Sequence, residues 1–200
     1  MEDDTIIIIV TALIGRAVHL LGRAYRQQGS PQKTIEILEP VIKTRFDEFR
    51  SFVTYVRAML DLGEPYSKCV AVLIQCKLDG VTDPAYVGLL GGLLFMEGKT
   101  TEAAKVFEES IRQGFTYDEK IQIQFRPRDP ANPKTSMRLS GSVVTVKPNY
   151  IFIQTERYPN FISTITKSDG IVLQRGMRVT FQPAFNAKGP HADNVRVTKI

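Results

Sequence analysis

A chain of 200 residues, 43% hydrophobic and 24% charged, is long enough for one large or two small domains and too apolar to be disordered throughout. The net charge of +5 is unevenly distributed, because residues 119–200 hold 13 Lys and Arg against five Asp and Glu, whereas residues 1–118 hold 13 against 16. Positive charge is therefore concentrated in the C-terminal part, and this favours a polyanionic partner there.

An apolar run follows an acidic start at the N-terminus. Residues 5–10 are apolar or β-branched after Glu2, Asp3 and Asp4. The run extends to Ile14, about half of the ~20 apolar residues that a membrane helix needs. Its acidic flank is the wrong charge for a signal peptide. We therefore expect no membrane partner. The run needs cover from water, and three covers are open: the first helical pair, upstream sequence, or a second copy in a homo-oligomer.

The sequence offers little for catalysis or metal binding. Cys69 and Cys76 are the only cysteines, and a spacing of seven without a second pair does not fit a zinc site. We interpret them as small buried side chains in a reducing cytoplasm. The two histidines, His19 and His191, lie far apart in the chain, and no phosphate loop, nucleophile elbow or dinucleotide motif occurs. The prediction is a cytoplasmic protein that is not an enzyme and carries no cofactor.

Glycines recur at a regular spacing in the first half of the chain. Gly29, Gly63 and Gly98 lie 34 and 35 residues apart, each between two segments with helical periodicity. A period near 34 residues, made of two helices and a tight turn, is typical of a helical solenoid. Residues 15–115 are therefore predicted to form helical hairpins in series.

These segments resemble tetratricopeptide repeats. Residues 90–107 carry the pattern most completely, and residues 21–38 carry it well. The second segment departs at Val56, where a small residue is usual. The resemblance implies an array whose concave groove binds a peptide or another protein.

Helical periodicity ends after Phe115. Residues 120–126 alternate apolar with polar residues, which predicts a short strand or an extended arm. Three prolines at 127, 130 and 133 then predict a stiff connector. No capping helix is evident after the last repeat, so we expect the arm or the following domain to cover it. The predicted domains are a helical repeat domain at 1–118, an extended proline-rich linker at 119–137 and a second domain at 138–200.

The second domain has the pattern of a small β-structure. Alternation from Tyr150 to Ile153 puts Tyr150 and Phe152 on one face and the two isoleucines on the other. Five short β-type runs in about sixty residues predict a five-stranded barrel of the oligonucleotide-binding type, the OB-fold. The fold class is thus α + β, with helical-hairpin repeats followed by this barrel. The predicted strands are 139–146, 150–155, 161–166, 177–182 and 194–200.

Residues 138–200 resemble a cold-shock domain in the order and spacing of their motifs. Residues 141–143 match the opening strand of that family, 150–153 its first nucleic-acid-binding motif and 160–162 its second. Residues 175–181 and 188–195 match the last two strands and the loop between them. The resemblance implies a barrel that binds single-stranded RNA or DNA through a face covered with aromatic rings.

Several ring positions of that family carry small or aliphatic residues in this sequence. They are Thr145, Val146, Ser163, Thr164 and Ile171. A stacked base contributes ~1–3 kcal/mol, so losing about half of the rings costs several kcal/mol. A loss of ~4 kcal/mol turns nanomolar into roughly micromolar binding. We therefore expect weak binding by this domain alone, or a shift to another partner.

The predicted function is an adaptor, in which the repeats hold a protein or peptide and the barrel holds single-stranded nucleic acid, with RNA favoured. The alternative is a purely protein-interaction module, whose degenerate barrel caps or docks on the repeats and binds no nucleic acid. The predicted nucleic-acid-binding residues are three rings, three cations chosen by neighbourhood and a histidine expected in a turn: Tyr150, Phe152, Phe161, Lys147, Arg157, Lys188 and His191.

Overall fold

The computed structural model of the chain describes residues 2–44, 49–76, 83–112, 115–129, 132, 134–156, 158, 160, 162–165 and 172–198. In these ranges, helices come first and a closed five-stranded barrel follows, which confirms the predicted α + β class. The helices are α1 (Glu2–Gln27), α2 (Pro31–Thr44), α3 (Phe49–Asp61), α4 (Tyr66–Gln75), α5 (Pro84–Met96), α6 (Thr100–Ile111) and α7 (Tyr117–Ile121). The strands are β1 (Leu139–Val146), β2 (Tyr150–Gln154), β3 (Ile162–Ile165), β4 (Arg178–Asn186) and β5 (Gly189–Val197).

The first six helices form three hairpins, each of which turns at one of the regularly spaced glycines. Gly29, Gly63 and Gly98 have φ values of 73°, 81° and 78°, a region that glycine adopts at little cost. In all three turns the amide after the glycine donates to the carbonyl five residues earlier, at 2.9–3.0 Å. This is the Schellman ending of a helix, used three times. The predicted hairpin turns are confirmed.

The chain separates into two compact units, Met1–Gly80 and Val81–Ile200. The third hairpin, α5 and α6, therefore belongs by packing to the unit that contains the barrel. The domain ranges predicted above describe the organisation of the sequence and stay predictions.

In the first unit, α1 packs against α2 and α3. A Cβ atom on Gly22 would lie 2.9 Å from the Leu38 side chain, so the glycine lets the two helices approach closely. The Thr34 hydroxyl donates to the Gly22 carbonyl at 3.0 Å, and Arg26 pairs with Asp61 at 2.7 Å. These contacts fix the inner side of α1.

The outer side of α1 is apolar and exposed. Leu13, Ile14, Leu20 and Leu21 are 61%, 59%, 53% and 47% exposed. The apolar run at residues 5–10 continues the same helix, and its side chains lie outside the described ones. In the described part of the chain, no helix has both the length and the hydropathy to cross a membrane.

In the second unit, α5 is enclosed from more than one side. Every residue from Tyr86 to Phe95 is buried. A Cβ on Gly91 would lie 2.3 Å from the Phe107 ring of α6, whereas a Cβ on Gly92 would lie 2.6 Å from Phe125. Gly91 therefore allows α6 to approach closely, and Gly92 allows Phe125 to do so, so α5 packs between α6 and the segment that carries Phe125.

The barrel has the strand order β1-β2-β3-β5-β4, and it closes because β1 also pairs with β4. Its pairs are antiparallel except for β3 and β5, which meet in parallel at Ser163 and His191. Inward side chains of the strands form its core, among them Val143, Ile151, Ile153, Ile162 and Phe181. The predicted five-stranded barrel is confirmed.

Strands β4 and β5 are longer than the predicted runs at 177–182 and 194–200. They pair from Val179–Val197 down to Asn186–Gly189, so the predicted loop between them is a tight hairpin. The strands extend further because Phe185, near the tip of the hairpin, is fully buried and packs on Phe95 of α5, outside the barrel. The prolines of this segment favoured a loop in the prediction, but the apolar contacts stabilise it as paired strands.

The hairpin of β4 and β5 packs on the third helical pair. The Phe185 ring lies 5.2 Å from that of Phe95 on α5, and the Ser110 hydroxyl of α6 donates to the Ala187 carbonyl. Phe125, in the predicted arm, stacks on Phe185 at 5.8 Å. The arm and the barrel therefore both cover the last helical pair.

The start of the arm differs from its prediction. Residues 117–121 form α7, because Thr116 and Glu119 exchange hydrogen bonds as a capping box and begin a helical turn there. The extended part starts after Ile121, and Phe125 bridges to Phe185.

Candidate nucleic-acid interface

Strand β2 presents two aromatic rings on the outside of the barrel. Ile151 and Ile153 are fully buried, whereas Tyr150 is 43% exposed and Phe152 is partly exposed. The ring centroids of Tyr150 and Phe152 lie 5.1 Å apart with an interplanar angle of 63°. This edge-to-face arrangement is favourable for aromatic pairs. The predicted alternation is confirmed, and the two rings form one exposed cluster.

Cross-strand pairing places Phe152 in a row of four residues. Phe152 pairs with Thr145 on β1 and with Ser163 on β3, and Ser163 pairs with His191 on β5. Paired residues share a face, and neighbouring strands lie about 4.8 Å apart. His191 therefore lies two strands away from Phe152 on the same outer face, a separation of about 10 Å at the usual strand spacing.

The position of His191 differs from the prediction. It lies within β5 and pairs with Ala184 of β4, so it is not in a turn. The turn comes earlier, at residues 187 and 188, because β4 and β5 extend to the tip of their hairpin. A strand holds the imidazole in line with the Phe152 row, which a turn would not.

The two residues beside Phe152 are small and carry hydroxyl groups. Thr145 and Ser163 occupy positions where the resemblance to cold-shock domains implies large rings. The surface next to Phe152 is therefore lined by groups that can donate or accept hydrogen bonds. Such groups can contact base edges or the 2′-hydroxyl of RNA. Among the described residues of this surface, the rings are those of the Tyr150–Phe152 pair and of His191 at the far end of the row.

Lys147 lies beside the ring pair. It follows β1 at the turn into β2, and its backbone amide donates to the Tyr150 carbonyl at 2.9 Å. Its side chain is exposed. A cation next to an exposed ring is suitable for a phosphate whose base stacks on that ring.

Lys188 lies elsewhere. It sits at the tip of the β4–β5 hairpin, where its Nζ is 4.1 Å from the centroid of the Tyr117 ring. Lys188 comes before β5 and so lies on one side of the row that contains Phe152 and His191. Tyr150 pairs with Ile165 and lies on the opposite side of that row. The structure does not bring Lys188 to the ring pair. Phe161 and Arg157, the remaining predicted site residues, lie outside the described residues.

His191 belongs to a polar network that no sequence pattern predicts. Its Nε2 lies 3.3 Å from Asp193 Oδ1, and Arg126 Nη2 lies 2.6 Å from Asp193 Oδ2. The hydrogen bond with His191, aided by the charge of Arg126, holds the pKa of Asp193 below its ordinary value, against the opposing effect of burial. Arg126 and Asp193 are 67 residues apart in sequence, so no local pattern could pair them.

No model of a known protein family matches the chain, and a comparison with curated proteins finds no similar sequence. Among the residues that the structure describes, no three His, Cys, Asp or Glu side chains are grouped as metal ligands would be. The function is therefore inferred from the geometry of the barrel surface.

Proposed function

We propose that the chain is an adaptor whose barrel binds single-stranded nucleic acid, with RNA favoured, and whose helical hairpins bind a protein or peptide. The observation that carries the proposal is the pair of outward rings, Tyr150 and Phe152, on β2. Exposed rings on a small barrel are the side chains on which unpaired bases stack.

The charge of the surrounding region supports a nucleic-acid partner. Residues 119–200 carry a net charge of +8, and Lys147 stands next to Tyr150. Two stacked bases contribute roughly 2–6 kcal/mol, and micromolar binding requires about 8 kcal/mol. Phosphate contacts supply the remainder, so we expect micromolar affinity that falls with salt.

The proposal for the helical part rests on its repeated geometry. Three hairpins share one glycine-based ending, and their sequences resemble tetratricopeptide repeats. Arrays of such hairpins present an extended concave surface suited to a peptide or a protein. The cytoplasm, a reducing compartment, is the location we propose, because Cys69 and Cys76 are both buried and form no disulfide.

A second candidate is a protein-interaction module whose barrel only caps the helices. The contact of the β4–β5 hairpin with α5 and α6 favours it, because this contact uses the barrel to bury helical surface. In that case the purified chain binds no oligonucleotide.

Fluorescence anisotropy with a labelled pyrimidine-rich strand, measured at 50 mM and 200 mM salt, tests the proposal. We expect Tyr150→Ala combined with Phe152→Ala to weaken binding at least tenfold, because both stacking platforms are lost. Tyr117→Ala is the matched control, since Tyr117 is another exposed ring, 68% accessible, on α7. We expect it to bind as the unaltered chain does.

Two results would contradict the proposal. One is the absence of binding at 50 mM salt. The other is equal binding by the double alanine variant and the unaltered chain, with matching melting curves as proof that both are folded. Either result would leave the capping module as the better account of the barrel.

A further inference from the structure

Three arginines gather on the outer side of β1, β4 and β5. Arg196 of β5 pairs directly with Thr180 of β4, and Arg178 lies two residues before Thr180 on the same face of β4. Arg138, just before β1, donates from Nη2 to Thr180 Oγ1 at 3.2 Å. All three guanidinium-bearing residues therefore surround Thr180. We call Arg138, Arg178 and Arg196 the arginine cluster.

Arg138 is held in place by several acceptors. Besides the Thr180 hydroxyl, its Nη2 is 3.0 Å from the Thr180 carbonyl and 2.8 Å from the Asn194 carbonyl. Burial, and then the neighbouring charge of Arg196, lower the pKa of Arg138. A guanidinium that is fixed before a ligand arrives loses little conformational freedom on binding.

The positive charge of the arginine cluster has no counter-charge in the described part of the chain. None of the three arginines forms an ion pair with a described residue, and the nearest described carboxylate on β5, Asp193, is engaged by Arg126. Like charges held close together repel each other, and a bound anion relieves that repulsion. The surface is therefore suited to a strongly anionic ligand.

Hydroxyl groups line the same surface. Ser140 pairs with Thr180, and Ser142 pairs with Arg178. The exposed Thr198 follows β5 and donates its backbone amide to the Arg178 carbonyl at 2.9 Å. Arginine together with serine and threonine is the usual side-chain set that contacts phosphate oxygens of nucleic acids.

Strand β1 joins the arginine cluster to the ring pair. Ser142 pairs with Arg178 on one side and with Gln154 of β2 on the other. Gln154 is two residues from Phe152 on the same strand and face. Strands β2 and β4 flank β1, so they lie about 10 Å apart. A chain of a few nucleotides can cover this distance.

We propose that the arginine cluster binds the phosphates of the single strand whose bases stack on Tyr150 and Phe152, so that the strand crosses β1. This inference rests on the proposed function and gives the strand a path. Rings on β2 hold one end of the bound segment, and arginines on β4 and β5 hold the continuing backbone.

The experiment compares strand lengths and salt concentrations. Labelled pyrimidine strands of 2 and 16 nucleotides are titrated with the full chain carrying Arg178→Gln and Arg196→Gln. Each lost phosphate contact lowers the salt slope for single strands by about 0.7. For the 16-mer, the two substitutions should lower the slope by about 1.4, so the loss of affinity should be about sevenfold larger at 50 mM than at 200 mM salt. The 2-mer, whose two bases occupy only the ring pair, should keep its affinity.

A matched control separates the site from general charge effects. Lys105→Gln combined with Arg112→Gln removes the same charge from exposed positions on α6 and its C-terminus. This variant should keep the salt slope for the 16-mer. A lysine variant, Arg178→Lys with Arg196→Lys, keeps the charge and should keep the slope too. If the glutamine variant has a lower melting temperature than the unaltered chain, the lysine variant provides the test. A lower salt slope for the 16-mer in the lysine variant, which keeps the charge, would overturn the inference.

Failure of this inference differs from failure of the proposed function. An unchanged 16-mer salt slope in the glutamine variant overturns the arginine path, while weakened binding by the double alanine variant at 150 and 152 leaves the proposed function standing. Equal weakening of the 2-mer and the 16-mer also overturns the path, because the arginines would then belong to the stacking site. Loss of the proposed function appears as binding that the alanine variant does not change.

Discussion

Helices α1 and α5 each begin a hairpin of the same construction, and both are rich in apolar residues, yet their surroundings differ. Every residue of α5 from Tyr86 to Phe95 is buried, whereas Leu13 and Leu20 of α1 are more than half exposed. The difference comes from what packs on them. In the second unit, the barrel and the arm cover the side of α5 that α6 leaves open. Helix α5 is thus covered on both sides, whereas α2 and α3 leave the outer side of α1 exposed.

Two sides of the barrel also differ in their surroundings. The β4–β5 hairpin is buried on the helices through Phe185 and Ala187. Strand β2 keeps Tyr150 and Phe152 on an outer surface. Capping of the helical pair and the proposed binding of nucleic acid therefore use different residues. Capping of the helices by the β4–β5 hairpin therefore leaves the outer rings of β2 available to a ligand.

The largest expected effect concerns the open side of α1. Leu13, Ala17, Leu20 and Ala24 recur at spacings of four, three and four residues, as in the seam of a helix pair. If a second copy covers this face, Leu13→Gln with Leu20→Gln should weaken the homo-oligomer at least a hundredfold, since each buried leucine contributes about 1.5–3 kcal/mol. Light scattering after gel filtration over a range of concentrations measures the change.

The control for this prediction is Leu62→Gln, which alters an exposed leucine after α3, 45% accessible. It should leave the association unchanged. A chain that is monomeric at 100 micromolar concentration would exclude a second copy as the cover of α1, and the difference between α1 and α5 would then need a different partner.

Adding one methyl group to a glycine of α5 and to a glycine of α1 tests how closely each helix is packed. A Cβ on Gly92 of α5 would lie 2.6 Å from Phe125 and 2.8 Å from Phe185, whereas nothing lies within 4 Å of a Cβ on Gly15 of α1. We expect Gly92→Ala to lower the free energy of unfolding by about 1–3 kcal/mol through overpacking. Gly15→Ala should raise it by up to about 1 kcal/mol through helix propensity.

Urea denaturation followed by circular dichroism measures both variants. The two substitutions are chemically identical and both lie inside helices, so each is the control for the other. Equal changes in stability would mean that the barrel does not hold α5 as closely as Phe125 and Phe185 indicate.

Local patterns predicted the elements well, because the physics that sets them is local. The turn glycines at 29, 63 and 98 need only their own φ angles. Strand β1 matches its predicted range, and the alternation in β2 correctly separates Tyr150 and Phe152 from the buried isoleucines. A pattern of this kind is complete within ten or so residues of sequence.

Contacts between distant segments were not predictable in the same way. Nothing in the sequence around Gly88 and Gly92 shows that Gln124, Phe125 and Phe185 pack closely on these helix residues. Pairing of Ser163 with His191 depends on the closure of the barrel, which one sequence does not encode at any fixed spacing. The arginine cluster depends on the register of β1, β4 and β5 for the same reason.

The smallest expected effect concerns the ion pair that ties the arm to β5. Arg126 and His191 both contact Asp193 and keep the pKa of its carboxyl group low in the folded chain. A depressed folded pKa stabilises the fold above the unfolded value of about 3.9, and this contribution is lost as the pH falls through the folded pKa. Because the groups are partly exposed, Asp193→Asn should cost about 0.5–1 kcal/mol at pH 7. Below about pH 4 the variant and the unaltered chain should converge in melting temperature.

Glu156→Gln removes an exposed carboxylate elsewhere on the barrel and should show no such convergence. A cost for Asp193→Asn that is the same at pH 7 and pH 3 would show that packing, and not charge, joins the arm to the strand that carries His191.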